Sequence, residues 1–143
     1  MEEDVTGYKS TFLPDVDIIL IFKGHEDYES FEPLFDNLGY GFVAPDSKKV
    51  FINGEVFLNE DGFDQDVLKF IEAHEVSHII LGHDQIRNEK DEMEADLGAY
   101  LLLRKFNFND SIEILIENFE GRHGVLFDTS LLEDIEDRMS EHL

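Results

Sequence analysis

The sequence predicts a single α+β domain, with a small mixed sheet followed by helices. Strand-like apolar runs all lie before residue 60, helix-like periodicity begins after residue 64, and no internal repeat or low-complexity linker separates the two parts. Because strands precede helices instead of alternating with them, the order is that of an α+β protein. We expect one domain over residues 1–143, sheet-rich over about 15–60 and helical over about 64–140.

The first half of the chain is predicted to hold the sheet. Residues 1–14 carry no clear pattern and are expected to form an irregular or weakly extended arm. Three strands and one short helix are expected next, in the order strand 15–22, helix 28–38, strand 40–44 and strand 49–52. A further short strand over 56–58 follows the turn signal at residues 53–54. A strand near Val50 or Val56 is a candidate edge for an extended peptide.

The second half is predicted to hold four helices. The first begins after Asp64, a good N-cap residue, and ends at Gly82. The other three are expected over residues 89–104, 110–119 and 130–143, with the glycines of residues 121–124 breaking the third.

Composition excludes several classes of protein. The chain has no Cys, which excludes disulfides and thiolate metal sites and fits a reducing compartment. It carries 34 acidic against 11 basic residues, a net charge of −23, so direct binding to nucleic acid or to an anionic membrane is not expected. The acidic start does not resemble a secretory signal, and the apolar run over 16–22 is too short to span a bilayer. We therefore expect a cytoplasmic protein.

The strong acidity has three explanations that the sequence leaves open. It could attract a basic protein partner, reflect adaptation to high salt, or simply keep a small protein soluble. Acidic residues are spread along the whole chain, which favours the second and third explanations.

The most informative motif is His74-Glu75-Val76-Ser77-His78, within the first predicted helix of the second half. Residues four apart share one helix face, so His74 and His78 can each direct a ring nitrogen at one metal ion. Glu75 lies on the same turn, close enough to hold a water bound to that ion. This is the arrangement of the zincin metallopeptidases, and it predicts one Zn²⁺ with a general base beside it.

A third protein ligand is needed, and its position separates the zincin subclasses. Metzincins place Gly three residues and His six residues after the second histidine, but Leu81 and Asp84 stand there, so that subclass is excluded. The next predicted helix carries Glu92 and Asp96 on one face. Glu92 is the predicted third ligand, with Glu94 as the fallback. Asp96 is predicted to accept a hydrogen bond from the far nitrogen of a ligand histidine.

On residues 73–83 and 92–96 the sequence resembles the ImmA/IrrE family of small gluzincin metallopeptidases. That family pairs a histidine helix with a Glu-x-Glu-Ala-Asn/Asp helix, and residues 50–53 look like the strand before its active-site helix. The resemblance covers residues 49–104, although the connection between the two motifs is shorter than in many members. The chain is also similar to the larger HtpX-like membrane gluzincins, whose transmembrane helices it lacks.

This resemblance implies a minimal zincin-like fold and a protein or peptide substrate. It also implies a specific regulatory protein as the target, for instance a repressor of helix-turn-helix type. No residue of the chain indicates that target directly.

Together these residues predict a zinc-dependent endopeptidase. Zinc held by the two histidines and Glu92 would keep one position open, and a water bound there would be acidified. Glu75 would take the proton of that water and later deliver it to the leaving amine. The oxyanion needs a further donor, for which Tyr100, His123 and Arg104 are candidates.

The remaining polar residues are predicted to have ordinary roles. His83 is expected to cap the first helix and interact favourably with its dipole, with a role at a substrate site as the alternative. Glu94 is expected to be a solvated charge, and His25, His123 and His142 are expected to be surface histidines.

Two other classes of function stay open. One is a non-catalytic binding module that uses a zincin fold to hold a partner. The other is an acidic nucleic-acid mimic that sequesters a DNA-binding protein, with any metal only structural. The presence of Glu75 favours the enzyme, because a binding module does not need a general base.

Overall fold

A computed structural model describes residues 5–22, 29, 41–44, 48–54, 58–59, 62–63, 65–83 and 88–143. It confirms the α+β class, with strands before residue 64 and helices after it. The chain divides into two compact units, Met1–Gln65 and Asp66–Leu143. The predicted helix over 28–38, the turn at 45–47, the N-cap Asp64 and the candidate edge residue Val56 lie outside the described residues.

The first unit holds a four-stranded sheet. Its strands are β1 (Val5–Lys9), β2 (Asp17–Ile21), β3 (Gly41–Ala44) and β4 (Lys49–Asn53), in the order β1-β2-β4-β3. The pair β2–β4 is parallel and the other two pairs are antiparallel, so the sheet is mixed as predicted. A separate two-stranded ribbon joins β5 (Leu58–Asn59) to β6 (Gly62–Phe63).

The central strands bury alternate side chains. Ile18 and Leu20 of β2 are buried, as are Val50 and Ile52 of β4, which lie beside them in register. This two-residue period follows from the pleat of a strand, in which successive side chains point to opposite faces.

Two predictions about the sheet are corrected. Residues 1–14, expected to form an irregular or weakly extended arm, contain the regular strand β1, which pairs with β2 from Val5 opposite Ile21 to Lys9 opposite Asp17. Pairing with an apolar neighbour supplies order that local pattern did not indicate. The strand at Val50 is not an edge, because β4 lies between β2 and β3; the edges of this sheet are β1 and β3.

The second unit is helical. Its helices are α1 (Gln65–Leu81), α2 (Glu89–Lys105), α3 (Asn109–His123) and α4 (Glu133–Arg138), with 3₁₀ turns at Thr129–Leu132 and Ser140–His142. The first two agree with prediction. The third is longer than predicted, since Gly121 lies inside it and Gly124, with φ of 76°, ends it. The last predicted helix is divided into three short pieces.

The ends of α1 and α2 are set by local chemistry. Gly82 adopts φ of 74°, the left-handed conformation that favours glycine, and the backbone N–H of His83 donates to the carbonyl of His78 at 3.0 Å. This is the Schellman arrangement, which turns the chain back along the helix it has just left. Helix α2 begins with a capping box in which Asn88 accepts from the backbone of Asp91 at 2.8 Å.

Helices α1 and α2 approach closely at Gly98. A β-carbon built on Gly98 would lie 2.8 Å from Ser77 Oγ and 2.8 Å from Met139 Sδ, so any larger residue would require these side chains to shift. This contact brings the polar faces of α1 and α2 together. Among the described residues, no helix combines the length and the apolar character needed to cross a membrane.

Candidate metal centre

Three side chains from two helices meet at one point. His74 and His78 come from one face of α1, and Glu92 comes from the first turn of α2. Nε2 of His74 lies 2.9 Å from Glu92 Oε2 and 3.1 Å from Nε2 of His78, and the latter nitrogen lies 3.4 Å from Glu92 Oε1. Glu92 therefore reaches both histidines despite the short connection, and Glu94 is not needed in its place.

These distances fit a tetrahedral zinc ion. Zinc bonds of about 2.0–2.1 Å to nitrogen and oxygen place neighbouring ligand atoms about 3.3 Å apart. The three separations, 2.9, 3.1 and 3.4 Å, bracket that edge length. Three protein ligands leave one tetrahedral position for water or substrate. The two histidines are buried while the side chain of Glu92 is 37% exposed, so the cluster reaches solvent on the Glu92 side.

The far nitrogen of His74 is bound by a buried carboxylate. Nδ1 of His74 lies 2.7 Å from Oδ1 of Asp96, which stands one turn after Glu92 on α2. A carboxylate can only accept, so the ring carries its proton on Nδ1 and presents Nε2 to the other ligand atoms. This is the contact predicted for Asp96, and it gives His74 the tautomer that metal binding requires.

Asp96 is itself held by two residues of α3. Arg122 donates from Nε to Oδ2 at 2.8 Å, and Nε2 of His123 lies 2.5 Å from the same oxygen. Burial alone would raise the pKa of Asp96, but hydrogen bonds from His123 and His74 and the charge of Arg122 lower it well below its usual range. The carboxylate consequently stays ionised in a buried position.

The far nitrogen of His78 meets a second imidazole. Its Nδ1 lies 2.8 Å from Nδ1 of His83, and Nε2 of His83 lies 2.9 Å from Oε1 of Glu94. The Schellman turn at Gly82 explains this position, because it directs His83 back over the last turn of α1.

Two sequence predictions are corrected at this point. Glu94 is not a solvated charge: it is buried, and its Oε2 accepts from Arg138 Nη1 at 3.0 Å. Burial alone would raise the pKa of Glu94, but hydrogen bonds from Arg138 and His83 lower it. His83 caps α1 through its backbone as expected, but its side chain also contacts a predicted metal ligand. His83, Asp91 and Glu94 form a second group whose ligand atoms lie within 4.8 Å of one another.

Acidic neighbours control the charge of the cluster. Burial alone would lower the pKa of His74, but hydrogen bonds to Asp96 and Glu92, with the nearby charge of Glu75, raise it from 6.5 to about 9. Burial likewise raises the pKa of Glu92, but hydrogen bonds to the two histidines lower it well below its usual range overall. Without metal, this environment favours an imidazolium at His74.

The predicted general base lies inside the unit. Glu75 is buried, and its charge acts on His74, the neighbouring residue in sequence. Its role as a general base stays a prediction.

The candidate oxyanion donors occupy different places. The side chain of His123, at the end of α3, is only 5% exposed, contrary to the surface position expected for it, and it contacts Asp96 on the far side of His74. The ring of Tyr100 packs at 4.7 Å between centroids against Phe127, and the guanidinium of Arg104 lies 5.4 Å from the Tyr100 ring. The role of these three residues toward an oxyanion stays a prediction.

A cleft lies beside Arg122 and His123, the two residues that contact Asp96. It has a volume of about 510 Å³ and lies between the first turn of α2 and the end of α3, with Met93, Lys90, Arg122 and His123 among its lining residues. Arg122 and His123 link the cleft to the cluster through Asp96. Both signs of charge occur on its wall, so it favours no single charge on a ligand.

Sequence reasoning missed the residues that support the ligands. Arg122 was not singled out, and neither Glu94 nor His83 was expected to contact a ligand histidine or its partner. For His83 and Glu94 the sequence signal is their spacing, directly after Gly82 and two residues after Glu92. This spacing becomes informative only when α1 and α2 are placed side by side. No protein-family model, no curated protein and no solved structure matches the chain.

Proposed function

We propose that the chain is a zinc-dependent endopeptidase of the gluzincin type with a minimal zincin-like fold. One observation carries the proposal: Nε2 of His74, Nε2 of His78 and the carboxylate of Glu92 converge from two helices at the edge lengths of a zinc tetrahedron. The residue types agree with this, since imidazole and carboxylate are the ligands of hydrolytic zinc and leave a position open.

The chain's own residues supply the other parts of such a site. Zinc, when bound, would lower the pKa of a water in its open position toward neutrality. Glu75 would act as the general base, taking a proton from the attacking water and delivering it to the leaving amine. Asp96 keeps His74 oriented, and the hydrogen bond from His123 with the charge of Arg122 helps to keep Asp96 ionised.

The proposed substrate is a protein or peptide. Its carbonyl oxygen would enter from the Glu92 side, where the cluster is open to solvent. A specific regulatory target, such as a repressor of helix-turn-helix type, is the proposal that the family resemblance supports. A basic repressor would also be attracted by a chain of net charge −23 in the cytoplasm.

Replacement of the proposed base tests the reaction. Glu75→Gln removes the proton acceptor while leaving both histidines and Glu92, so zinc content should stay near one ion per chain. Cleavage of casein and of candidate repressors should fall at least about 100-fold, because general-base catalysis contributes about 10²–10⁴-fold. The matched control is Glu117→Gln, an exposed carboxylate of α3, which should leave cleavage unchanged.

The same experiment separates the enzyme from a binding module. Equal cleavage by wild type and Glu75→Gln would exclude Glu75 as the base. Zinc binding without cleavage of any substrate would favour a non-catalytic module that uses the cluster structurally.

A further inference from the structure

The two proposed histidine ligands are supported in different ways. His74 donates directly to a carboxylate, whereas Nδ1 of His78 lies 2.8 Å from Nδ1 of His83. Only one of these two nitrogens can carry the proton between them, because a neutral imidazole has one donor and one acceptor. Which nitrogen carries it decides whether His78 can bind a metal through Nε2.

Glu94 decides this question. If His78 carries its proton on Nδ1, it donates to His83, whose own proton then sits on Nε2 and is donated to Glu94 Oε1 at 2.9 Å. Every group in this chain of contacts then has a partner of the opposite kind. With both rings neutral, the reverse arrangement places the bare Nε2 of His83 against a carboxylate oxygen, lone pair against lone pair. It also puts a proton on the Nε2 of His78 that should face the metal.

The neighbouring side chains keep the carboxyl group of Glu94 ionised, so that it can only accept hydrogen bonds. Arg138 binds its other oxygen at 3.0 Å, and Asp134 in turn binds Arg138 at 3.2 Å. The side chains of His83 and Glu94 are 6% and 11% exposed, so water competes little for these contacts. Asp91 Oδ1 lies 3.7 Å from Nε2 of His83 and adds negative charge on the same side, which further favours a proton there.

We propose that His83 is a positioning residue that, with Glu94, keeps the proton of His78 on Nδ1 and so presents Nε2 of His78 to the metal. This inference rests on the metal ligands of the proposed function but not on peptide hydrolysis. It assigns to His83 and Glu94 together the part that Asp96 plays for His74. Such supporting contacts are generally worth about 10–100-fold in metal affinity.

Zinc affinity of His83 variants tests the proposal. In competition with a chromophoric chelator, His83→Phe should bind zinc about 10-fold more weakly than wild type, since it fills the space but accepts no hydrogen bond. His83→Asn should bind more tightly than His83→Phe, because its amide oxygen can stand near the place of Nδ1 and accept from His78. The matched control, His142→Phe, changes a histidine in the last 3₁₀ turn and should match wild type.

A nuclear magnetic resonance measurement on the wild-type protein tests the proposal without depending on whether the variants fold. Imidazole nitrogen shifts of the ¹⁵N-labelled, zinc-loaded protein should place the proton of His83 on Nε2 and that of His78 on Nδ1. A proton on Nδ1 of His83, wild-type affinity in His83→Phe, or equal loss in the Asn and Phe variants would each overturn the proposal. Absence of zinc binding by wild type would instead overturn the proposed function itself.

Discussion

The Nδ1 atoms of His74 and His78 are both hydrogen-bonded, but by different kinds of side chain. Behind His74 stands a single aspartate, 2.7 Å away and 1% exposed, that is held by Arg122 and His123. Behind His78 stands His83, which passes the contact to Glu94, held by Arg138. Each chain of contacts ends on an arginine, although the sequence has only 11 basic residues against 34 acidic ones.

This difference indicates which support is stronger. A carboxylate in direct contact fixes the ring of His74 through one short, charge-assisted hydrogen bond. His78 instead contacts another imidazole, that of His83. The carboxylate on this side, Glu94, contacts His83 and not His78. We therefore expect the loss of Asp96 to weaken metal binding more than the loss of His83, and disturbance of both helices to weaken it most.

The largest effect is expected from Gly98→Ala, which acts on both histidines at once. The added methyl group would lie 2.8 Å from Ser77 Oγ and from Met139 Sδ, so side chains at the contact of α1 and α2 must shift. Such overpacking costs about 1–3 kcal/mol of unfolding free energy, measurable by urea denaturation, and should also reduce zinc affinity. Gly121→Ala is the matched control: it meets no atom within 4 Å and should stabilise α3 by about 0.5–1 kcal/mol. Equal stability of the two variants would contradict a close helix contact at Gly98.

The next largest effect is expected from Asp96→Asn. The amide keeps the shape of the side chain but loses the charge that binds Arg122 and His74, so zinc affinity should fall toward the upper end of about 10–100-fold. Chelator competition would measure the zinc affinities of Asp96→Asn and His83→Phe under the same conditions. Asp137→Asn, an exposed carboxylate of α4, should not change the affinity. A smaller loss of zinc affinity in Asp96→Asn than in His83→Phe would contradict the view that His74 has the stronger support.

A smaller effect is expected in the pH dependence of stability without metal. The pKa of His74 rises from 6.5 to about 9 on folding, so its contribution is full below about pH 6.5 and is lost as pH rises through 9. The depressed pKa values of Glu92 and Asp96 act oppositely, and their contributions are lost in acid. The melting temperature of the zinc-free protein should therefore fall between pH 6.5 and 9.

Two comparisons sharpen that result. Asp96→Asn should flatten the alkaline fall, because a main cause of the raised pKa of His74 is removed. The zinc-loaded chain should show little of it, since a metal-bound His74 carries no extra proton. An alkaline fall that is equal in wild type and Asp96→Asn would contradict the assignment to His74.

The sequence predicts which three side chains meet in the cluster, but it predicts most of the contacts that support them poorly. The spacing of His74 and His78 is a property of one helix, and the ends of that helix are signalled by Gly82, so both could be read locally. Asp96 was predicted because it lies one turn from Glu92. Arg122, His83 and Glu94 depend on how α1, α2 and α3 pack, which local spacing does not encode.

In the sheet, too, local sequence pattern predicts some strands but not how the strands pair. The runs that form β2 and β4 are recognisable alone, because each places apolar residues at the alternate positions that the sheet buries. Strand β1 is ordered by pairing with β2, and its own residues carry only a weak signal. The position of β4 inside the sheet likewise depends on strand order, which a single sequence does not reveal.

The central claim is a zinc ion bound by two histidines and one glutamate. Zinc X-ray absorption on the protein loaded with one equivalent tests it most directly. The account predicts two imidazole nitrogens and two oxygens in the coordination shell, with loss of one imidazole in His78→Ala and no change in His83→Asn. A third imidazole, removed by His83→Asn, or zinc surrounded by water alone would contradict it.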